Sequence, residues 1–536
     1  MATCSQVIAR TLKALGIKRI FGVPGGEILD FIEACRQDGI EFIMVRHEAV
    51  AAFMADVAGQ ITGIPGVCLS TVGPGATNLV SGVANAYLDR SPVLVFSAQL
   101  STSAQPYANH QFIPLEKLFD PITKKVFTFS GQNSRGMVLE GFQIATTGPQ
   151  GPVYFCLPSD MARKDETPSR EEIAPELKEG LSNAIDGTLI SQAIEEIQKA
   201  KKPLVILGIG VDPRKDTETV RRFIKKNKLP VMATPKAKGI FPDSDPLYLA
   251  TASGMMADHL AVDMIMKSDL VIGIGFDPVE SDKIWHNDVH LLSINNYSIG
   301  HRSYLPYLEV IGDVKMILDL FMNEDFSHHW IEDDLKDFKE RLRTKLTPST
   351  KPMDKAFSPY EIILKARKAL SADTIVTSDV GAHKLLLGQA WVSYHPLTFF
   401  MSNGLSSMGY GFPAAMAAKL SKPEAQVVCM TGDGGFSMML QDLETAVRLS
   451  LPVVTLVLCD NSLSLIEVVQ SRRSYPRYGV NFNKVQFASV AEDFGARGIR
   501  LQSLEELPEI FSTGFNSSKP TVVEIPVDNR EYHEQL

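Results

Sequence analysis

The segment Val427–Leu465 reads VVCMTGDGGFSMMLQDLETAVRLSLPVVTLVLCDNSLSL, and it decides the fold class of this chain. The pattern predicts a strand over Val427–Met430, a glycine-rich turn at Gly432–Gly435, a helix over about Phe436–Leu449 and a strand over Val453–Cys459. Two strands joined by one helix lie parallel with a right-handed crossover, so their carboxyl ends meet at one edge of a sheet. The segment therefore predicts an α/β fold.

Asp433 and Asp460 follow these two predicted strands. Open α/β sheets bind ligands at this edge, and the exposed N–H groups of a glycine turn at a helix N-terminus suit a phosphate. Two carboxylates beside a phosphate suit a divalent cation such as Mg2+. A purely structural strand–turn–helix is the alternative, but the acidic residue after the next strand favours a metal–diphosphate site. The Lys-Ser/Thr of a Walker loop and the spacing of GxGxxG are both missing.

The bulk properties exclude several classes of protein. A chain of 536 residues is too long for one core and predicts about three domains. The net charge of -9 argues against nucleic acid or an anionic membrane as the main partner. The sequence contains no apolar run of membrane-spanning length, and the opening MATCSQVIARTLKALG lacks the apolar core of a signal peptide. The six cysteines form no CxxC, which fits a reduced, cytoplasmic compartment; the four predicted as buried thiols are Cys68, Cys156, Cys429 and Cys459.

Three stretches alternate predicted strands and helices, which indicates three doubly wound parallel-sheet domains at residues 1–165, 186–340 and 357–536. Charged segments separate them, at about 161–185 and 323–352. The first and third stretches look like variants of one fold. Five strands are predicted in each stretch: 19–25, 41–48, 66–75, 93–99 and 152–160; 203–210, 229–234, 269–277, 290–295 and 308–313; 374–381, 397–404, 427–435, 453–461 and 521–528.

Glu48 stands where a strand ends and an unusually apolar, Ala-rich helix begins. A Glu in a first helical turn most often only compensates the helix dipole. At the mouth of a buried helix, however, the carboxylate is partly desolvated and suited to proton transfer. His47 beside it is interpreted as a structural histidine.

Other polar loops allow two readings each. The turn Gly73–Gly75 and the PGGE segment Pro24–Glu27 follow strands at the same predicted edge as Glu48, or are structural only. His110 and Gln111 bind a small polar substrate or lie in a surface loop. The GIG at 208–210 is a weak nucleotide signal that fits a vestigial pocket equally well.

These motifs together resemble the thiamine-diphosphate-dependent acetohydroxyacid and acetolactate synthases, and the match covers essentially the whole chain. The resemblance rests on FGVPGG, RHE followed by AAFMA, TVGPGATNL, SDVG, SMGYGFPAA, and GDGGF followed by LETAVRL. It is closest to the flavin-independent catabolic acetolactate synthases. HQ followed by LFDPITK resembles their substrate loop, and GFDPVES resembles the sequence they carry in place of an arginine-bearing flavin motif.

The resemblance implies a role for each matching residue. Glu48 would drive tautomerisation of the cofactor's aminopyrimidine, and Met408 would bend the cofactor. Asp433, Asp460 and the backbone carbonyl of Ser462 would hold Mg2+, with Asn461 as the alternative to Asp460. The other implied cofactor contacts are Pro24, Thr71, Asn78, Val380, Gly381, His383, Gly432, Gly434, Gly435 and Leu463. The implied catalytic contacts near the substrate are His110, Gln111 and Lys124, the last chosen over Lys125.

The resemblance also implies an activity: decarboxylation of pyruvate and carboligation to acetolactate, with thiamine diphosphate and Mg2+ but no flavin. It names the three domains pyrimidine-binding, central and diphosphate-binding. It implies a homodimer or a dimer of dimers with active sites at the subunit interface.

One departure keeps an alternative open. Leu463–Ile466 replaces a segment in which catabolic synthases usually carry an aromatic residue and an acid. A related decarboxylase or C–C lyase acting on another 2-oxo acid or an acyloin is therefore the second interpretation. A non-catalytic homologue or a flavin-linked oxidase is the third. The intact Glu48, Asp433 and Asp460 argue against a non-catalytic protein.

Overall fold

The computed structural model describes residues 2–166, 185–252, 254–281, 289–300, 304–353 and 355–536. The chain forms two compact units. The first comprises Met1–Gly180, Leu405–Pro423 and Met439–Leu449, and the second Leu181–Gly404, Glu424–Met438 and Ser450–Leu536. Most of the predicted linker at 161–185 lies outside the described residues. The domain boundaries at 165, 186, 340 and 357 stay predictions.

The first unit contains a six-stranded parallel sheet and a short antiparallel ribbon. Its strands are β1 (Ala2–Thr3), β2 (Arg19–Gly22), β3 (Glu41–Met44), β4 (Gly66–Ser70), β5 (Val93–Gln99), β6 (Lys125–Thr128), β7 (Pro152–Pro158) and β8 (Asp165–Glu166). The sheet order is β3-β2-β4-β5-β7-β6, and β1 pairs with β8. Its helices are Cys4–Ala14, Leu29–Gln37, Glu48–Thr62, Pro74–Leu88, Leu115–Phe119, Ser134–Thr146, Ser159–Arg163, Gly411–Ser421 and Leu443–Arg448.

The second unit contains two six-stranded parallel sheets. The central sheet has the order β11-β10-β9-β12-β13-β14, from β9 (Pro203–Leu207), β10 (Val231–Ala233), β11 (Tyr248–Thr251), β12 (Leu270–Ile274), β13 (Leu291–Asn295) and β14 (Leu308–Ile311). The other sheet has the order β16-β15-β17-β18-β20-β19, from β15 (Ile375–Ser378), β16 (Phe399–Met401), β17 (Val427–Gly432), β18 (Val453–Cys459), β19 (Arg497–Arg500) and β20 (Thr521–Pro526).

The helices of the second unit flank these two sheets. They are Gly187–Lys199, Thr217–Asn227, Asp258–Lys267, Val314–Phe321, Glu332–Leu346, Pro359–Ala369, Ala382–Ala390, Asp433–Met438, Ser464–Arg472, Phe487–Asp493, Leu507–Phe515 and Glu531–Gln535. Val/Ile/Leu side chains of the strands are buried between them, which confirms the predicted α/β class with three parallel sheets.

The first and last sheets share one topology. Numbered within its own sheet, each runs 2-1-3-4-6-5, whereas the central sheet runs 3-2-1-4-5-6. The strand order of the first and last sheets reverses between strands 1 and 3, which are β2 and β4 in one and β15 and β17 in the other. Ligands bind at such switch points, beyond the carboxyl ends of the strands. The sequence-based view that the first and third stretches are variants of one fold agrees with this order.

Each of the three parallel sheets contains one strand more than the five predicted, and each added strand lies at a sheet edge; the ribbon of β1 and β8 was also not predicted. β6 and β19 are short and largely exposed or half-buried, so they lack the continuous apolar run that marks a central strand. β11 is buried but has only four residues and follows a proline-containing loop.

The predicted turn Gly432–Gly435 and helix Phe436–Leu449 were wrong in detail. β17 continues to Gly432, the helix begins at Asp433, and it ends at Met438. Met439 leaves the helical region (φ -124, ψ 19), and the chain resumes as the helix Leu443–Arg448. Gly434 and Gly435 are therefore first-turn residues of a helix, where N–H groups have no backbone acceptor within the helix.

Candidate active site

The candidate residues fall in both units, and each set is built within its own unit. In the second unit, Asp433 and Asp460 follow the neighbouring strands β17 and β18. Asp433 accepts backbone hydrogen bonds from Gly434 (2.8 Å) and Asn461 (2.8 Å) through its two carboxylate oxygens. The Asn461 amide thus links the Asp433 carboxylate to the turn that carries Asp460.

Asp460 is held by its own turn. Its carboxylate accepts the Ser462 N–H at 3.1 Å and the Ser464 hydroxyl at 2.5 Å. Burial raises the pKa of Asp433. Burial, together with the charge of Asp433, raises the pKa of Asp460 to about 7. A divalent cation would neutralise both carboxylates, so the donor set fits one.

The site offers few side-chain ligands. Among the described residues, no three His, Cys, Asp or Glu side chains converge on one point as a metal cluster. A cation at Asp433 and Asp460 would therefore take its remaining ligands from backbone carbonyls, water and ligand phosphates, as Mg2+ commonly does.

His383 supplies a buried, unused nitrogen beside the same edge. Its Nε2 has no hydrogen-bond partner among the described residues, and burial lowers the pKa of its imidazole to about 4. Buried polar atoms are rarely left unpaired, so this nitrogen fits a polar group of a bound ligand. Gly381, at φ 155, and Gly432 leave room for the ring, since a Cβ on them would lie 2.8 and 3.2 Å from His383 Cε1.

Asp379 is a further candidate site residue, which the sequence reasoning missed. It follows β15, is buried, and accepts the Val380 N–H at 2.7 Å. A Cβ on Gly435 would lie 2.7 Å from its Oδ1, so only glycine fits there. The SDVG text places Asp379 directly after a strand, and that signal could have found it.

In the first unit, Glu48 opens the helix Glu48–Thr62 and is 7% exposed. Asn78 donates a hydrogen bond to Glu48 Oε2 at 2.9 Å. A Cβ on Gly75 would lie 3.2 Å from Glu48 Oε1, so the tight turn lets the carboxylate approach. His47 caps the helix by accepting the Ala49 N–H at 3.1 Å, which confirms its structural reading.

Pro24 and Thr71 lie beyond β2 and β4, the two strands that flank the switch point of this sheet. Thr71 donates to Glu27 Oε2 at 2.9 Å, and a Cβ on Gly25 would lie 2.3 Å from Thr71 Oγ1. The two loops that follow these strands are therefore in direct contact at the ligand-binding edge.

The predicted substrate residues lie in different settings. His110 and Gln111 are exposed, and Gln111 (φ 57) packs its Cβ 3.1 Å from the Cβ position of Gly73. Lys124 instead donates to the carbonyls of Ile144 (2.5 Å) and Thr147 (2.6 Å) at the end of a helix. Burial, and then Arg90, lower the pKa of Lys124 to about 8. Contact of these three residues with a substrate stays a prediction.

The remaining predicted residues sit in loops. Met408 is half-buried in the turn before the helix Gly411–Ser421, in the first unit. In the second unit, Leu463 donates its N–H to Val480 at 2.8 Å, and Ser462 donates its hydroxyl to Glu467 at 2.8 Å. Glu467 is a second residue that the sequence reasoning missed, because nothing in the sequence aims it at Ser462.

Comparison with known proteins matches three domains of thiamine pyrophosphate enzymes: the N-terminal TPP binding domain over residues 2–118, the central domain over 190–321 and the C-terminal TPP binding domain over 379–525. The acetolactate synthase of Bacillus subtilis is 32% identical over 538 residues, covering 98% of this chain and 93% of that protein. A catabolic acetolactate synthase of Raoultella terrigena is 29% identical, covering 98% and 95%. A probable acetolactate synthase large subunit of Methanocaldococcus jannaschii is 32% identical, covering 98% and 92%.

Proposed function

This chain belongs to the thiamine pyrophosphate enzymes, among the relatives of acetolactate synthase, and we propose that it decarboxylates pyruvate and joins the two-carbon unit to a second pyruvate to give acetolactate. One observation carries the proposal most. The buried Asp433 and the half-buried Asp460 meet at one hydrogen-bonded turn at a sheet edge, in a chain similar to acetolactate synthases over 98% of its length.

When bound, thiamine diphosphate supplies the electron sink for loss of CO2 from the 2-oxo acid. In this proposal Asp433, Asp460 and the Ser462 carbonyl would hold the Mg2+ that neutralises the diphosphate. His383 and the Gly435 N–H would contact the diphosphate, and the Gly434 N–H would join them only by leaving Asp433 Oδ1. Glu48, which accepts a hydrogen bond from Asn78, would supply proton transfer to the aminopyrimidine ring. Gln111 and His110 orient the acceptor.

The central sheet is proposed to bind no flavin. Glu280, in the GFDPVES segment, is 4% exposed and accepts the Ile209 N–H at 2.8 Å and the Lys236 N–H at 3.3 Å. These amides follow β9 and β10, where a nucleotide phosphate would need donors. Gly210 also donates to Gly275 at 2.7 Å. Denaturing the purified protein and finding a stoichiometric flavin would contradict this part.

Membership of the family supports a proposal for the oligomeric state and the compartment. We propose a homodimer, or a dimer of two dimers, in which Glu48 of one subunit serves the diphosphate site of another. None of the described helices is long and apolar enough to cross a membrane. All six cysteines are buried and form no disulfide, which supports the proposal of a reducing, cytoplasmic setting.

Product analysis tests the activity. Purified protein with pyruvate, thiamine diphosphate and Mg2+ should release CO2 and form acetolactate. Acetaldehyde as the main product would instead support the decarboxylase reading that the Leu463–Ile466 departure leaves open. Absence of CO2 release from pyruvate, with cofactor binding demonstrated, would overturn pyruvate as the donor.

A further inference from the structure

The turn that carries Asp460 is covered by a surface segment of the same unit, residues 473–482, here called the strap. Leu463 donates its N–H to the Val480 carbonyl at 2.8 Å, and Phe482 donates to the Asn461 carbonyl at 3.2 Å. Ser462 and Asn481 form an antiparallel bridge between these bonds. The strap therefore hydrogen-bonds to the same backbone that would present the Ser462 carbonyl to the metal.

Glu467 connects this turn to the middle of the strap. Its Oε2 accepts the Ser462 hydroxyl at 2.8 Å and lies 3.0 Å from Arg477 Nη2. Asn529, after β20, donates to the same oxygen at 3.3 Å and to Ser464 Oγ at 3.1 Å. The Glu467 side chain is only 16% exposed, so its bonds are shielded more than those of a surface ion pair.

Apart from Val480, which is buried, the rest of the strap has little other support. Gln470 clamps Tyr478, donating to its carbonyl at 2.8 Å and accepting its N–H at 3.3 Å. Tyr475 and Tyr478 are 60% and 83% exposed, so their rings add little buried area. Ser474 and Gly479 adopt left-handed backbone at φ 57 and 68. Such a segment opens at low cost unless its hydrogen bonds and ion pair hold it.

We propose that Glu467 is a positioning residue of the cofactor site, which couples closure of the strap to the geometry of the metal turn. It fixes Ser462 on one side and Arg477 on the other, so the two elements are stabilised together. By linkage, a metal that stabilises the turn also stabilises the closed strap, to the same extent that the strap favours metal binding. This inference rests on the proposed function, because it concerns the same Mg2+ site.

The first test measures metal affinity without turnover. Mn2+ binding in the presence of thiamine diphosphate is followed by electron paramagnetic resonance for the parent, Glu467→Ala and Glu467→Gln. Loss of an outer partner of a metal site commonly weakens metal binding about 10- to 100-fold, and we expect Glu467→Ala in that range. Glu467→Gln retains an acceptor for Ser462 but not the charge facing Arg477, so its loss should be smaller.

The second test follows the strap itself by trypsin cleavage after Arg473. In the parent, Mg2+ with thiamine diphosphate should lengthen the lifetime of this bond. In Glu467→Ala the bond should be cut faster, and the cofactors should no longer protect it.

Arg477→Ala should weaken Mn2+ binding only about 2- to 5-fold, since Arg477 is half exposed, and Arg477→Lys should restore most of it. Glu492→Gln, an exposed glutamate in the helix Phe487–Asp493, is the matched control and should behave as the parent.

The outcomes separate the two proposals. A parent protein that binds no divalent metal with thiamine diphosphate overturns the proposed function and this inference with it. A parent that binds both, beside folded Glu467→Ala and Glu467→Gln variants with unchanged metal affinity and strap lifetime, overturns the role of Glu467 alone. Should Glu467→Ala fail to fold, Glu467→Gln and Arg477→Ala decide by the same two readouts.

Discussion

At the scale of residues, the proposed chemistry depends on the carboxylates of Asp433 and Asp460, which are linked through the turn that carries Asp460. Asp433 is bonded by the Asn461 amide, and Asp460 by Ser462 and Ser464, so both are oriented before any ligand arrives. Such prior orientation lowers the entropic cost of binding a cation and a diphosphate.

Asp433→Ala should abolish Mg2+-dependent binding of thiamine diphosphate while the fold is kept. Loss of a direct ligand should weaken metal binding by more than the about 10- to 100-fold that is typical when an outer partner is lost. Without the metal, the charge of the diphosphate is poorly neutralised. Calorimetric titration of cofactor, with circular dichroism as the folding check, measures this. Cofactor affinity equal to that of the parent would contradict the assignment.

The second ligand is decided by comparing Asp460→Ala with Asn461→Ala. Asn461 donates its backbone N–H to the Asp433 carboxylate and has a left-handed backbone conformation, with φ 58. An alanine retains that N–H, so we expect the larger loss of affinity for Asp460→Ala. The reverse order in the same titration would make Asn461 the ligand.

Glu280 predicts a pH dependence of stability. Burial raises the pKa of Glu280 to about 8 from its ordinary 4.5. A carboxyl group with a raised folded pKa binds its proton more tightly when folded, so its contribution is full below about pH 4.5 and is lost as pH rises towards 8. The loss is at most about 1.4 kcal/mol per pH unit for one group.

Glu280→Gln removes this titration. The variant should therefore gain stability relative to the parent as pH rises from 5.5 to 8.5, by about 1–3 kcal/mol on the same scale. Denaturant unfolding of both proteins across this range measures the difference. A difference that stays constant with pH would show that Glu280 titrates normally.

At the scale of elements, the helices Glu48–Thr62 and Pro74–Leu88 bring Glu48 and Asn78 together. Twelve of the fifteen residues in the first helix are buried, and it ends at Gly63 with φ 74, a left-handed cap that suits glycine. Gly82 of the second helix allows close packing, since a Cβ there would lie 2.4 Å from Ala52 Cβ and 3.0 Å from the Ala49 carbonyl.

Gly82→Ala should destabilise the protein although alanine is the better helix former. Its propensity gain is about 1 kcal/mol, but overpacking against backbone atoms costs about 1–3 kcal/mol and should dominate. Gly187→Ala is the control, because nothing lies within 4 Å of its Cβ position. In thermal unfolding, Gly82→Ala should have a lower midpoint temperature than the parent, and Gly187→Ala should not. Equal midpoints for the parent and Gly82→Ala would mean that the helices can move apart.

At the scale of the whole molecule, Glu48 and Asp433 belong to different compact units of one chain. The proposed dimer places the Glu48 of one subunit at the diphosphate site of another. Glu48→Gln should leave cofactor binding near normal and lower turnover by about 10²-fold or more, as expected when positioned acid–base catalysis is lost.

Mixing Glu48→Gln chains with Asp433→Ala chains should restore part of the activity. A mixed dimer contains one site in which both residues are intact, whereas each variant alone contains none. Activity is measured after subunit exchange has been verified by differently tagged chains. If exchange occurs and activity stays at the level of the separate variants, the two residues do not serve one site across subunits.

The sequence by itself determined the α/β class, the three parallel sheets and the strand ends at which Asp433, Asp460 and Glu48 stand. It could do so because buried parallel strands have a continuous apolar pattern and ligand sites follow their carboxyl ends. The edge strands β6, β11 and β19 were not predicted, since short or half-exposed strands carry little of that pattern.

Only the tertiary structure decided which side chains meet. Glu467 contacts Ser462 and Arg477, Lys124 contacts helix-end carbonyls, and Asp379 packs at Gly435. Glu280 likewise reaches amides 71 and 44 residues earlier in the chain. Period and propensity describe neighbours along the chain, whereas these contacts depend on the rotamers and loop paths that the packed fold imposes.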